Sequence, residues 1–329
     1  MADELDAFIY PQDSAIHGGV EMLKQVLEIY DLLDSAKVTG YDAAKLLKSR
    51  GLEDVAVKTI KGERGSTDFM KIRITGVKGK STGGDAPTLG VIGRCGAIGA
   101  RPTMIGIVSD ADGCVTALSV ALKIADMHSR NDFLEGDVVV CTHVAPYAPT
   151  VPHKPVPFMG SPVDGILEHE VDPAMDAILS IDTTKGNRIV KWRGFAITPT
   201  VKEGWILKVS DDLLTIMEYV TGSIPRVCPI TMQDITPYSS RLYHINSIMQ
   251  PCTITDSPVV GVAITTETPV PGCGTGVSHV TDIEVTSRFV LEVAKSYGRK
   301  ECSFYDEEEW KKIVARYGPI KVLQTPGKE

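Results

Sequence analysis

Two periodicities divide the chain. Between residue 19 and about residue 48, Met22, Leu23, Val26, Leu27, Ile29, Tyr30, Leu32 and Leu33 recur at the three- and four-residue spacing of a helix with one buried face. Val38-Thr39-Gly40 interrupts that pattern, and a second helix follows over 41–49. Residues 55–60 and 69–74 alternate apolar and polar positions and are joined by the Gly- and charge-rich GERGSTD, which predicts a half-exposed pair of strands. Five other runs are apolar at successive positions: 88–92, 104–108, 138–141, 177–181 and 259–264. A short strand reads that way when both its faces are covered, so these predict the interior of a sheet. Helical stripes over 113–127, 211–221 and 283–297 alternate with them, and Ser210 and Thr281 are placed to cap the last two. The alternation predicts an α/β domain, a three-layer sandwich around a mixed, largely parallel sheet. Prolines and glycines are spread as turn punctuation, and no repeat or linker divides the chain, so 1–329 reads as one domain.

Composition narrows the partners. The net charge is −8, from 42 acidic and 34 basic residues with no basic block, which argues against nucleic acid and against an anionic membrane surface. A small-molecule substrate is the expected partner. The seven cysteines form no C-x-x-C pair, a pattern of reduced thiols in cytosol rather than of a disulfide framework. The first residues carry acids and a proline where a signal peptide would have a positive flank and an apolar core, and no apolar run reaches the roughly 18 residues of a membrane span. A cytoplasmic protein is expected, and symmetric self-association makes a homodimer the expected assembly.

In an α/β sheet, ligands collect at the carboxyl ends of the strands. Ser109-Asp110-Ala111-Asp112-Gly113 follows the run 104–108, Thr142-His143 follows 138–141, and Asp182-Thr183-Thr184-Lys185 follows 177–181. The last strand leads into PGCGTGVSH, ending at His279. Carboxylates and histidines on one edge are a ligand set suited to zinc or manganese. Each also has a plainer role: Asp110 or Asp112 as a helix cap near Gly113, Asp182 bonded to amides of its own turn, either histidine as a hydrogen-bonded structural group. Arg94, Lys185 and Arg188 flank strand ends and could hold a substrate carboxylate, and the Pro-rich stretch 146–162 carries His153 in a stiff loop.

The segments TLGVIGRCGAIGARP, VSDADGCVTALSVALKIADM, SIDTTKGNR, ITPTVKEGWILKVSDDLL, TMQDITPY and VPGCGTGVSHVTDI resemble a bacterial domain-of-unknown-function family over nearly the whole chain. More distantly, the order of elements resembles the dinuclear zinc aminopeptidases of the glutamyl and deblocking type. VTGYDAAKLLKSR resembles their opening helix and GSTDFMKIRITG their strand pair. SDADGCVTALSVAL resembles the segment of the bridging aspartate, which falls on Asp110, with Asp112 as the alternative; LSIDTT places a second ligand on Asp182, and GVSHVTDIEVTSRFVLEVAK a ligand histidine on His279. The resemblance implies a zinc-exopeptidase, phosphorylase/hydrolase-like fold. Two positions depart from the pattern: Arg94-Cys95-Gly96 stands where those enzymes have a histidine ligand and an acid, and Thr142-His143 stands where they have a Glu-Glu pair. Their insertion domain has no room between Arg94 and Asp110.

These features together lead to the expectation of a metal-dependent hydrolase of a small amide or peptide-like metabolite. Asp110, Asp182 and His279 would hold one zinc or manganese ion, His143 would be the base or a fourth ligand, Arg94 would meet the developing oxyanion, and Lys185, Arg188 and His153 would contact substrate. Two other readings remain beside it: a degenerate peptidase fold that binds a small anionic ligand, favoured by pairing of Arg94 with Asp110 or Asp182, and a metal-free acid–base racemase or lyase using His143 or His279.

Overall fold

The computed structural model describes residues 21–35, 37–63, 65–94, 98, 107–145, 148, 150–151, 158–159, 162–163, 165–184, 186–231, 244–267 and 278–324. The order begins with helices α1 (Leu23–Leu33) and α2 (Gly40–Ser49), then the hairpin β1 (Val55–Gly62) and β2 (Gly65–Ile74), then β3 (Leu89–Gly93), α3 (Asp112–His128) and β4 (Val138–Val144). A separate two-stranded pair, β5 (Thr150–Val151) and β6 (Phe158–Met159), and the one-turn helix α4 (Leu167–Glu170) lead to β7 (Ala177–Thr183). After β8 (Gly194–Ile197), β9 (Val201–Lys202) and β10 (Trp205–Ile206) come α5 (Asp211–Thr221), a 3-10 helix over Ser247–Thr253, β11 (Val259–Thr265), α6 (Val280–Gly298) and α7 (Glu307–Tyr317).

The main sheet has the order β1-β2-β4-β3-β7-β11-β9-β10, with β8 also paired to β11. Its centre, β4-β3-β7-β11, is parallel, and the strands outside it pair antiparallel. The parallel centre is what the doubly apolar runs predict, because side chains alternate between faces and both faces are covered. One face presents Val91, Val140, Leu179 and Val262 to α3 and α6, on which α1 and α5 pack in turn. The other presents Ile92, Cys141, Ile178, Val259 and Ala263 to Ile248, Met249 and Cys252 of the 3-10 helix. The described sandwich is therefore asymmetric, with long helices on one face and mainly the 3-10 helix and connecting segments on the other.

Local signals account for the helix ends. Thr39 and Asp42 form a reciprocal cap on α2: the Asp42 N–H donates to Thr39 Oγ1 (3.4 Å) and the Thr39 N–H to Asp42 Oδ2 (2.8 Å). Thr39→Ala is expected to lower the unfolding free energy by about 1 kcal/mol in urea titrations, the usual value of such a cap. Ser210 caps α5 as expected, accepting from the Leu213 N–H at 3.2 Å.

One expectation is corrected, and another lies mostly outside the described residues. His279, not Thr281, is the N-cap of α6, which starts at Val280 and takes Thr281 into its first turn. The run 104–108 does not supply a described strand: residues 104–106 lie outside the described residues, and Ile107 and Val108 lead straight into a 3-10 turn, Ser109–Ala111, that opens α3. In consequence Asp110 and Asp112 belong to the start of a helix rather than to the end of a strand.

Candidate active site

The register of the parallel strands builds the site. Gly93 at the end of β3 pairs with Thr142 on β4 and Ile181 on β7, and Phe69 pairs with His143 and Asp182 with Ala263. The next row beyond Gly93 is therefore Phe69, His143, Arg94, Asp182 and Ala263, across five neighbouring strands. A shared row means a shared face. That face is the one covered by the 3-10 helix, because Ile92 and Cys141, two residues back, lie in its core. β4 runs three residues and β7 two residues further than their apolar runs, so His143 and Asp182 are strand residues.

Arg94 sits at the centre of a buried polar cluster. Its side chain is 10% exposed; Nη1 donates to Glu170 Oε2 at 2.8 Å, Nη2 to Gln250 Oε1 at 2.8 Å, and Nε lies 4.0 Å from Asp182 Oδ2. Glu170, fully buried at the end of α4, turns its other oxygen to His143: Oε1 is 3.5 Å from Nδ1. Neither nitrogen of His143 nor Oε1 of Glu170 has a hydrogen-bond partner, although all three atoms are buried. Phe69 lies between the two histidines of this corner, its ring centroid 5.3 Å from that of His143 and 4.5 Å from that of His169. Unpartnered buried polar atoms of this kind are costly, and they collect where a ligand or water completes the bonding.

Asp182 is 14% exposed and accepts from the Thr183 N–H (2.7 Å) and from Ser247 Oγ (3.4 Å). Burial pushes its carboxyl above the ordinary 3.8, against the pull of Arg94 and the Thr183 amide. Between 3.8 and the raised value the folded chain therefore holds more proton than the unfolded one, and stability falls as pH rises through that window. Asp182→Asn has no such proton to lose. The variant's urea-unfolding free energy is expected to gain on the wild type from pH 4 upward and then level off; a pH-independent difference would contradict this.

The residues expected to hold a metal stand on different elements. Asp112 opens α3, fully buried, and accepts from Ser278 Oγ at 2.5 Å, and the neighbouring Asp110 is also buried. His279 caps α6 with a side chain 42% exposed, its Nδ1 3.5 Å from Asp282 Oδ2. These residues belong to the starts of helices, whereas Asp182 is a strand residue that shares its row and face with His143 and Arg94. Among the described residues no group of three or more His, Cys, Asp or Glu is placed to hold a metal ion. Arg188 is exposed in the connection after β7; Lys185 and His153 lie outside the described residues. Cys141, two residues before His143, has its thiol pushed up to about 12 by burial, which suits a packing residue and not a nucleophile.

Sequence reasoning missed Glu170, Gln250 and Ser247. None follows a strand: Glu170 closes the one-turn helix before β7, and the other two lie on the 3-10 helix before β11. The only signal was Glu170 itself, an acid in the apolar-flanked GILEHEVDP, which no periodic pattern singles out.

Fold and cluster together define an α/β protein with a buried arginine–carboxylate–histidine site at the ends of its parallel strands. Residues 58–327 match the family described as "Protein of unknown function (DUF1177)", and the chain belongs to that family. A search of curated proteins finds no match. No helix among the described residues is long and apolar enough to cross a membrane.

Proposed function

We propose that the chain binds a small carboxylate at the strand ends, with Arg94 as the group that receives it. The observation that carries this reading is the place of Arg94, a guanidinium in the row between His143 and Asp182 with bonding capacity left. Of its five N–H donors, Glu170 and Gln250 take one each, and Asp182 at 4.0 Å stands beyond hydrogen-bond reach of Nε. Arg94 and Glu170 cancel each other's charge, and burial of Asp182 favours the neutral form of its carboxyl. The planar fork of arginine suits a carboxylate in two-pronged contact. Arg94 also supplies beside Glu170 and Asp182 the positive charge that a metal would bring to open carboxylates, which favours ligand binding over a metal-dependent hydrolase.

The frame is best read as a zinc-exopeptidase-type fold adapted to this use. An opening helix (α2), a strand pair (β1 and β2), a central strand bearing an aspartate (β7), and a closing strand followed by a helix (β11, α6) stand in the order that the aminopeptidase resemblance gives them. The five described free cysteines are all buried, which supports a cytoplasmic setting, and a homodimer remains the assembly favoured by symmetry.

The test is calorimetry of the full chain with lactate, malate, alanine and glutamate, each beside its carboxamide. Carboxylates are expected to bind and carboxamides not, and Arg94→Lys, which keeps the charge beside Glu170 but loses the fork, is expected to weaken binding about tenfold or more. Equal affinity for carboxylate and carboxamide would overturn the reading. So would near-stoichiometric zinc or manganese, retained by the reloaded wild type through dialysis and lost in both Asp182→Ala and His279→Ala.

A further inference from the structure

We propose that this site moves a proton at the carbon next to the bound carboxylate, inverting that carbon, with His143 and Asp182 serving its two sides. The proposal rests on the carboxylate-binding reading and adds a reaction to it.

The geometry comes from three adjacent strands. His143 on β4 and Asp182 on β7 flank Arg94 in one row and on one face, and neighbouring strands stand about 4.8 Å apart, which puts the two flanking Cα atoms roughly 10 Å from each other. A carboxylate held by the Arg94 fork sets its adjacent carbon between an imidazole and a carboxyl group. Each of the two is equipped for its part. His143 has Glu170 beside Nδ1, and Glu170 is itself fixed by Arg94, which sets the ring's direction and steadies an imidazolium; Nε2 is buried and has no partner. Asp182 lies where burial holds a proton on its carboxyl to higher pH than usual. A base and a proton-bearing acid on opposite sides of an electrophilic cation are the components of a two-sided proton transfer.

The step balances without any other reactant. His143 Nε2 takes the proton from the carbon, and the C–H electron pair moves into the carboxylate to give an enediolate, whose added negative charge faces Arg94. The Asp182 carboxyl then delivers its proton to the opposite side of the carbon. His143 ends as imidazolium and Asp182 as carboxylate, the reverse direction runs through the same groups, and exchange with water resets both. Glu170 acts through His143 and is a positioning residue.

The experiment uses the full-length chain with both enantiomers of lactate, malate, alanine and glutamate in D2O. Loss of the proton signal next to the carboxylate is followed by NMR and inversion by chiral chromatography. For at least one acid, exchange with inversion is expected. Asp182→Asn, which retains an acceptor for the Thr183 N–H, should lower inversion at least about 100-fold while still exchanging the enantiomer whose proton faces His143; His143→Gln should do the converse. Glu170→Gln should slow both directions and shift the pH–rate profile, a change that loss of structure alone would not bring while circular dichroism stays unaltered. Binding of these acids by calorimetry with no exchange in the wild type would overturn the proton transfer and leave the binding reading standing. Absence of binding would overturn both, and equal loss of exchange from both enantiomers in the two folded single variants would overturn the two-sided assignment.

Discussion

Arg94→Met is expected to lower the unfolding free energy by about 3–5 kcal/mol, the largest effect of any single side-chain replacement in the cluster. The reason lies in Glu170. Its carboxylate is wholly buried, Arg94 holds one oxygen at 2.8 Å, and its other oxygen has only His143 Nδ1 at 3.5 Å nearby. With the guanidinium gone, Glu170 must stay charged without a partner or take up a proton, and either course costs far more than the pair contributes when whole. The pair itself is weak evidence of stability, because both ions gave up hydration to form it. Arg94→Met with Glu170→Gln, which removes both charges, should therefore recover most of the loss. Urea unfolding of wild type, both single variants and the double variant at one pH closes this cycle. Equal destabilisation in Arg94→Met and in the double variant would show that Glu170 is not the group left stranded.

How far the sequence discloses this site depends on which interactions carry it. Strand ends are legible because doubly apolar runs end where the next polar residue begins, and Arg94, His143 and Asp182 were found that way. Facing is legible only once the register is known. Asp110, Asp182 and His279 all follow apolar runs, yet Asp182 is a strand residue whose face the register sets, while Asp110 and His279 stand at helix starts. Asp110 follows a run of which only 107–108 are described, and those two residues lead into a 3-10 turn rather than continue a strand. Glu170 and Gln250 were invisible for another reason: they reach Arg94 from 76 and 156 residues away, from a single helical turn and a 3-10 helix too short for any periodic signal. The α/β class and the parallel centre of the sheet needed only local pattern, whereas the cluster needed tertiary contact.

Gly113→Ala is expected to cost about 1–3 kcal/mol and to displace Arg94, so that it impairs carboxylate binding without touching any charged group. Gly113 lies in the first turn of α3, where that helix meets the ends of β3 and β7. A Cβ there would stand 2.4 Å from the carbonyl oxygen of Arg94, 2.6 Å from that of Ile181 and 3.1 Å from the Arg94 nitrogen. All three are backbone atoms and cannot rotate aside as a side chain would. Two of them form one bond, since the Arg94 N–H donates to the Ile181 carbonyl at 2.8 Å and so joins β3 to β7 beside the site. Gly93 meets the same junction from the strand side, with a Cβ that would fall 2.5 Å from the Gly113 carbonyl oxygen and 2.6 Å from Ala117 Cβ. The helix approaches the strand ends this closely because neither glycine carries a side chain. Relief of either contact must push α3 outward or shift Arg94 along its strand, and a shift changes the distances to Glu170 and Asp182 together. Gly93→Ala and Gly113→Ala should therefore couple, the double variant losing less than the sum of the singles because one outward step of α3 relieves both contacts. Urea unfolding reads the stability and calorimetry with lactate, malate, alanine and glutamate reads the binding; a Gly113→Ala chain with wild-type stability and affinity would show that α3 is free to move without consequence for the site.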